Sequence, residues 1–141
     1  MLRLQLGITL LVFVIAILMG WHHRGGEGSL LTVIAFLFVG LAFLAATNDV
    51  AIDAYYLEGI TDRGEQAAYS GVRVMAYRIA VIYARSILVA VAAAANWQYG
   101  FGAGALTLLV FWVLHSVFLP KFEAEREKKK IEFSEVRANF L

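Results

Sequence analysis

Four apolar runs, each long enough to supply the ~20 residues that cross a ~30 Å hydrocarbon core, decide what this chain can fold into. They are Leu2–Trp21, Leu30–Leu57, Ala67–Ala95 and Gln98–Leu119. In lipid every backbone N–H and C=O must be satisfied inside the protein, which leaves helices or a closed barrel, and none of the runs alternates with a period of two. The sequence therefore predicts an all-α integral membrane protein. Its four transmembrane helices fall within residues 1–120, and a charged tail follows over 121–141. Composition agrees: 61% of the residues are hydrophobic and 16% charged, against about 25% charged in soluble domains.

The first run could be read as a signal peptide, with Arg3 as its charged start and Leu6–Leu18 as its apolar centre. Against this, Leu18-Met19-Gly20-Trp21 offers no A-x-A cleavage pattern, and further membrane helices follow. A net charge of +1 gives no basic field for nucleic acid. The absence of cysteine excludes disulfides and thiolate metal sites.

Loop charges predict the orientation. Arg3, Arg63, Lys121, Arg126, Lys128, Lys129, Lys130 and Arg137 share one side, and Arg24 is alone on the other. The positive-inside bias puts both termini in the cytoplasm, with Trp21 and Trp97 at the outer interface and Tyr55 and Tyr56 near the inner one. The tail is charged and then faintly amphipathic through Phe133, Val136 and Phe140, so it reads either as a solvated end or as a helix on the membrane surface.

Asp49 and Asp53 lie inside the second run, and Arg73, Arg78 and Arg85 inside the third. Each charge facing lipid costs roughly 2.5–3.5 kcal/mol, so five must be paired or face a wet cavity. The second and third helices form a hairpin turning near Asp62–Gly64, which brings Asp53 level with Arg73 and Asp49 level with Arg78. At 100° per residue, Asp49 and Asp53 share a face to within about 40°, whereas Arg73 and Arg78 diverge by about 140°. Both pairs cannot form equally well. The deeper and costlier couple, Asp49 with Arg78, is the expected one, leaving Arg73 to snorkel to the interface. Arg85 shares the Arg78 stripe with Gly71 and Ala92. With no partner in the hairpin, it is expected to face a cavity for an anionic substrate, to pair with a segment this chain lacks, or to snorkel to the outer surface.

No glycine-rich phosphate loop, His/Cys cluster or Ser-His-Asp set appears, so the sequence predicts neither an enzyme nor a cofactor. Gly100-Phe101-Gly102-Ala103-Gly104 reads as a close-packing element, His115 as an interfacial histidine, and His22 and His23 as loop residues.

The stretch FLAATNDVAIDAYYLEGITDRGEQAAYSGVRVMAYRIAVI resembles the fourth and fifth helices of the AmpG-like muropeptide permeases, a branch of the major facilitator superfamily. The resemblance rests on Ala45-Ala46-Thr47, Asp49-Val50, Asp53-Ala54-Tyr55, Asp62-Arg63-Gly64-Glu65 and Tyr77-Arg78, with Gly71-Val72-Arg73 similar to one bacterial subgroup. It implies that the flanking runs correspond to the family's third and sixth helices and the tail to its central cytoplasmic loop. Arg85 departs from the small or uncharged residue usual there.

By resemblance, then, the chain is part of the N-terminal half of a secondary carrier in the bacterial inner membrane. That carrier would move a muropeptide-like or other sugar-peptide anion, and proton coupling is an option. Asp49 and Asp53 are the proton-coupling or gating candidates, Arg78 and Arg73 their counter-charges, and Arg85, Tyr77 and Asn48 the substrate-path candidates. Such carriers work between two six-helix halves, so four helices would need missing segments or self-association. Two alternatives stand beside it. One is an accessory membrane subunit without its own pathway. The other is a Mg²⁺-dependent prenyltransferase-like enzyme starting at Asn48-Asp49 and Asp53, although Ile52 stands where a further acid is wanted and no second Asp-rich motif follows.

Overall fold

The computed structural model describes residues 1–60 and 62–119; the expected tail over 121–141 lies outside the described residues. Four spans are long and apolar enough to cross a membrane, and no strand occurs among the described residues. Helix α1 runs Leu2–His23, α2 Ser29–Gly59 and α3 Arg63–Ile82. The third span then continues through a π-helical stretch, Tyr83–Leu88, into α4, Val89–Ala94, and α5 is Trp97–Phe118.

These boundaries follow the apolar runs closely, except that α3 begins a turn earlier than the Ala67 expected. The cause is local. The Asp62 carboxylate accepts the Glu65 N–H at 2.9 Å, capping a helix start whose first turn also carries the acidic Glu65. Asn96 caps α5 in the same manner through the Tyr99 N–H. The α1–α2 turn uses Gly25 at φ +101°, a conformation that a side chain would strain.

The packed centre is the antiparallel pair α1 and α5. On α1, Gln5, Thr9, Val12, Ile15, Ala16 and Gly20 form the buried stripe, spaced by three and four. Both ends of the pair are tied. The Trp112 Nε1–H donates to the Leu2 carbonyl at 3.1 Å, and His115 Nδ1 lies 2.9 Å from Gln5 Oε1. At the other end Gly20 lies beneath the Gln98 side chain. The half-buried His115 is therefore a packing residue at this joint.

Helix α2 packs on α1 and touches α5 through Phe38 and Phe101, ring centroids 5.6 Å apart. Helix α4 packs on α5, where Gly100 sits against Ala92. A Cβ at Gly100 would come within 2.7 Å of Ala92 Cβ and 3.0 Å of the Leu88 carbonyl oxygen, neither of which can swing aside. Gly100→Ala is thus expected to destabilise the protein by about 1–3 kcal/mol, the usual cost of overpacking. Reversible unfolding in mixed detergent checks this, and an unchanged midpoint would mean that α4 and α5 have slack between them.

Helices α2 and α3 do not pack along their lengths, and α3 buries no residue at all. In lipid an uncovered apolar face is unremarkable, because hydrocarbon solvates it. Uncovered charge is another matter.

Candidate functional site

The site is the wedge between α2 and α3. Among the described residues the helices meet around their turn, where the Gln66 side chain donates to the Ile60 carbonyl at 2.7 Å and the Tyr56 and Tyr69 rings lie tilted against each other with centroids 6.2 Å apart. One turn further on, Arg73 and Asp53 form an ion pair, each about half exposed, at 49% and 48%. These residues surround a groove of about 250 Å³ that also includes Leu57 and Ser70. Above the pair the helices separate and the wedge opens.

The expected pairing is corrected here. Asp53 is held by Arg73, and among the described residues Asp49 and Arg78 form no ion pair. The depth register is confirmed near the turn, but the helices diverge away from it, so the couple nearest the turn forms and the deeper one cannot. Arg73, named after Arg78 as a counter-charge, pairs with Asp53 and does not snorkel away from it. Helix phase explains the remainder. Ala80 faces α5, and Arg78, two residues earlier, lies about 200° away on the opposite face.

Four residues separate Asp49 from Asp53 and Tyr77 from Arg73, so each sits about 40° from its partner in the pair and looks into the wedge. Tyr77 is level with Asp49, and both are exposed. By register and helix phase, then, the group level with Asp49 on the wedge side of α3 is the Tyr77 phenol and not the Arg78 guanidinium. Asn48 lies about 140° round α2 from Asp53, out of the wedge. Its Oδ1 is enclosed, with no hydrogen-bond partner among the described residues.

Arg85 sits in the π-helical stretch, exposed, on the same outward stripe as Arg78. It does not line the open groove between the third span and α5, whose lining residues carry no charge. Gln66, Tyr69 and Ser70 escaped the sequence reading, and Tyr56 was read there only as an interfacial aromatic. The signal that could have found them is the three-and-four spacing of 66, 69, 70 and 73 on one helix and 53, 56 and 60 on the other.

Among the described residues no three His, Asp or Glu side chains gather as they would to hold a metal ion. The elements and their composition define a chain of four bilayer-length helices, which places it among helical membrane proteins. Compared with family models, curated proteins and solved structures, the chain finds no match.

Proposed function

We propose that this chain is part of a secondary carrier of the major facilitator type, moving an anionic sugar-peptide across a bacterial cytoplasmic membrane, with both termini inside. The observation that supports this reading is the wedge itself: a crevice latched at one end by a single half-exposed ion pair and open at the other, with Asp49 and Tyr77 one turn above the latch.

The latch suits gating. Half exposure leaves the Asp53–Arg73 pair in exchange with water, so its net contribution is small enough to be broken and remade during a cycle. A proton on Asp53 removes its charge, releases Arg73 and lets the lower ends of α2 and α3 part. Asp49 forms no ion pair among the described residues and is exposed in the wedge, within reach of a bound substrate. Tyr77 offers a hydroxyl to a sugar or peptide group.

The exposed stripe of Arg78 and Arg85 completes the path only against a second protein surface, supplied by further carrier segments or by another copy. Lipid cannot serve, since charge facing it costs several kcal/mol. A second reading, an accessory subunit that docks through α3, is favoured by the lack of any buried residue on that helix.

Uptake separates the two. In membranes of the cells that make the protein, uptake of radiolabelled anhydromuropeptide is expected to fall to background in Asp49→Asn, with the protein still present at parental level. The purified chain alone in liposomes is expected to stay at background. Uptake indifferent to Asp49→Asn would overturn the carrier reading and leave the subunit reading.

A further inference from the structure

The third span changes its hydrogen-bonding pattern part way along. Arg63–Ile82 is α-helical, Tyr83–Leu88 is π-helical, and Val89–Ala94 returns to α. A π turn bonds to the fifth residue on instead of the fourth, so it holds one residue more than the α turn it replaces. Such turns are rare and recur at functional sites. The two sides of this one are held unequally. Beyond it, Ala92 is buried against Gly100, which seats α4 on α5. Before it, α3 buries no residue. At its head, the Thr107 hydroxyl donates to the Ala103 carbonyl at 2.9 Å, so the Tyr83 hydroxyl, 2.6 Å away, donates to Thr107. Among the described residues this is the only side-chain hydrogen bond from the third span to α5.

Winding the extra residue into α-helix has a fixed geometric result. With α4 held, everything before Tyr83 turns by about 100° and moves about 1.5 Å along the axis toward the α2–α3 turn. Each residue of α3 is then replaced, in direction and in depth, by the one that follows it. Arg78 takes the present place of Tyr77, level with Asp49 on the wedge side. Val74 takes the place of Arg73, so the Asp53–Arg73 pair opens. Tyr77 moves to the place of Ala76, on the open groove beside α5, where a phenol has room. The hydrogen bond from Gln66 to Ile60 and the contact of Tyr56 with Tyr69 are lost with the latch. In exchange for one half-exposed pair of small net worth, two charges that form no ion pair at present, deeper in the span, come level on the same side.

We propose that the third span has a second register, in which the π stretch is wound into α-helix and Asp49 pairs with Arg78 in place of Asp53 with Arg73. The hydrogen bond between Tyr83 and Thr107 is the catch that holds the register seen here, because the turn of α3 carries Tyr83 away from α5. Once the latch opens, the foot of α3 is free to lean, and the long Arg78 side chain reaches across the wedge. The switch does not depend on the carrier reading. It follows from the helix geometry whatever the chain moves, and an accessory subunit with this span would have it too.

Disulfide formation in the full chain, reconstituted in liposomes and oxidised with copper phenanthroline, reads the register, since the chain has no cysteine of its own. Tyr56→Cys with Tyr69→Cys reports the register seen here, where the two rings meet. Tyr56→Cys with Gly71→Cys reports the second. Position 71 lies about 200° round α3 from Tyr69 and enters the groove only by taking the place of Ser70, which lines it. A Cβ at Gly71 meets nothing within 4 Å, so the cysteine is accommodated. The first pair should dominate in the parent background. Tyr83→Phe, which removes the catch, should raise the second pair several-fold and lower the first, and adding Asp49→Asn should cancel the rise. Should Tyr83→Phe fail to fold, Thr107→Val removes the same bond from the side of α5. A second pair that stays at the parental level without the catch would show a single register and overturn the proposal. A rise that Asp49→Asn leaves untouched would show mere loosening of α3 and overturn it too.

Discussion

Replacing Arg78 and Arg85 together by leucine is expected to stabilise the isolated chain in a membrane while abolishing its function. Both guanidiniums lie at membrane depth on a face of the third span that no other described helix covers. On insertion scales each arginine costs roughly 2.5–3.5 kcal/mol, so removing two gains at most about 5–7 kcal/mol, less whatever the long side chains recover by snorkelling. A substitution that improves insertion yet destroys uptake is the behaviour of residues retained for function against stability. Insertion is read with a glycosylation reporter on the third span, and uptake in parallel. A double leucine variant that inserts worse than the parent would mean that both arginines already have partners among these helices, and the exposed stripe would not exist.

The second large effect concerns the latch. Asp53→Arg places two guanidiniums face to face where one ion pair now joins the helices, and the lower ends of α2 and α3 should spring apart. The exchange Asp53→Arg with Arg73→Asp restores opposite charges and should bring them back. The coupling between the two positions is expected at about 0.5–3 kcal/mol, the range for residues in direct contact.

The chain lacks cysteine, so a clean reporter is available: Tyr56→Cys and Tyr69→Cys, whose aromatic contact closes the same groove, joined by a short bifunctional thiol reagent. Crosslinking should be high in the parent background, several-fold lower in Asp53→Arg and recovered in the exchange. If the exchange crosslinks no better than Asp53→Arg, the pair does not hold the wedge shut.

What the sequence disclosed follows physical range. Spans were legible because lipid demands long uninterrupted apolar helices, and Leu2 to Phe118 contains four of them separated by short polar turns. The level of Asp53 with Arg73 was legible from the tight turn at Asp62–Gly64, which sets a local register. Divergence of the helices was not. Whether a hairpin stays closed depends on what lies behind it, and here α2 leans on α1 while the third span leans on α5 through Gly100 and Ala92. That is why Asp49 and Arg78, equal in depth, miss each other.

The central joint of α1 with α5 was likewise illegible, since Gln5 and His115 are separated by 110 positions and neither carries a local pattern naming the other. The π-helical stretch at Tyr83–Leu88 left no mark a reader could use either. Tyr77, a substrate-path candidate by resemblance, was legible from register as well, four residues beyond Arg73 as Asp49 is four short of Asp53.

Alternating access of the wedge is the core of the carrier proposal, and one labelling measurement reaches it directly. Tyr77→Cys sits opposite Asp49 above the latch, while Gly25→Cys and Gly64→Cys in the two turns mark the outer and inner faces. With an impermeant thiol reagent applied to sealed right-side-out or inverted vesicles, the cysteine at 77 should react from the same side as Gly25→Cys in the parent. It should become reactive from the side of Gly64→Cys when Asp53→Asn releases the latch. Equal reactivity from both sides in both backgrounds, or access that Asp53→Asn leaves unchanged, would contradict the account.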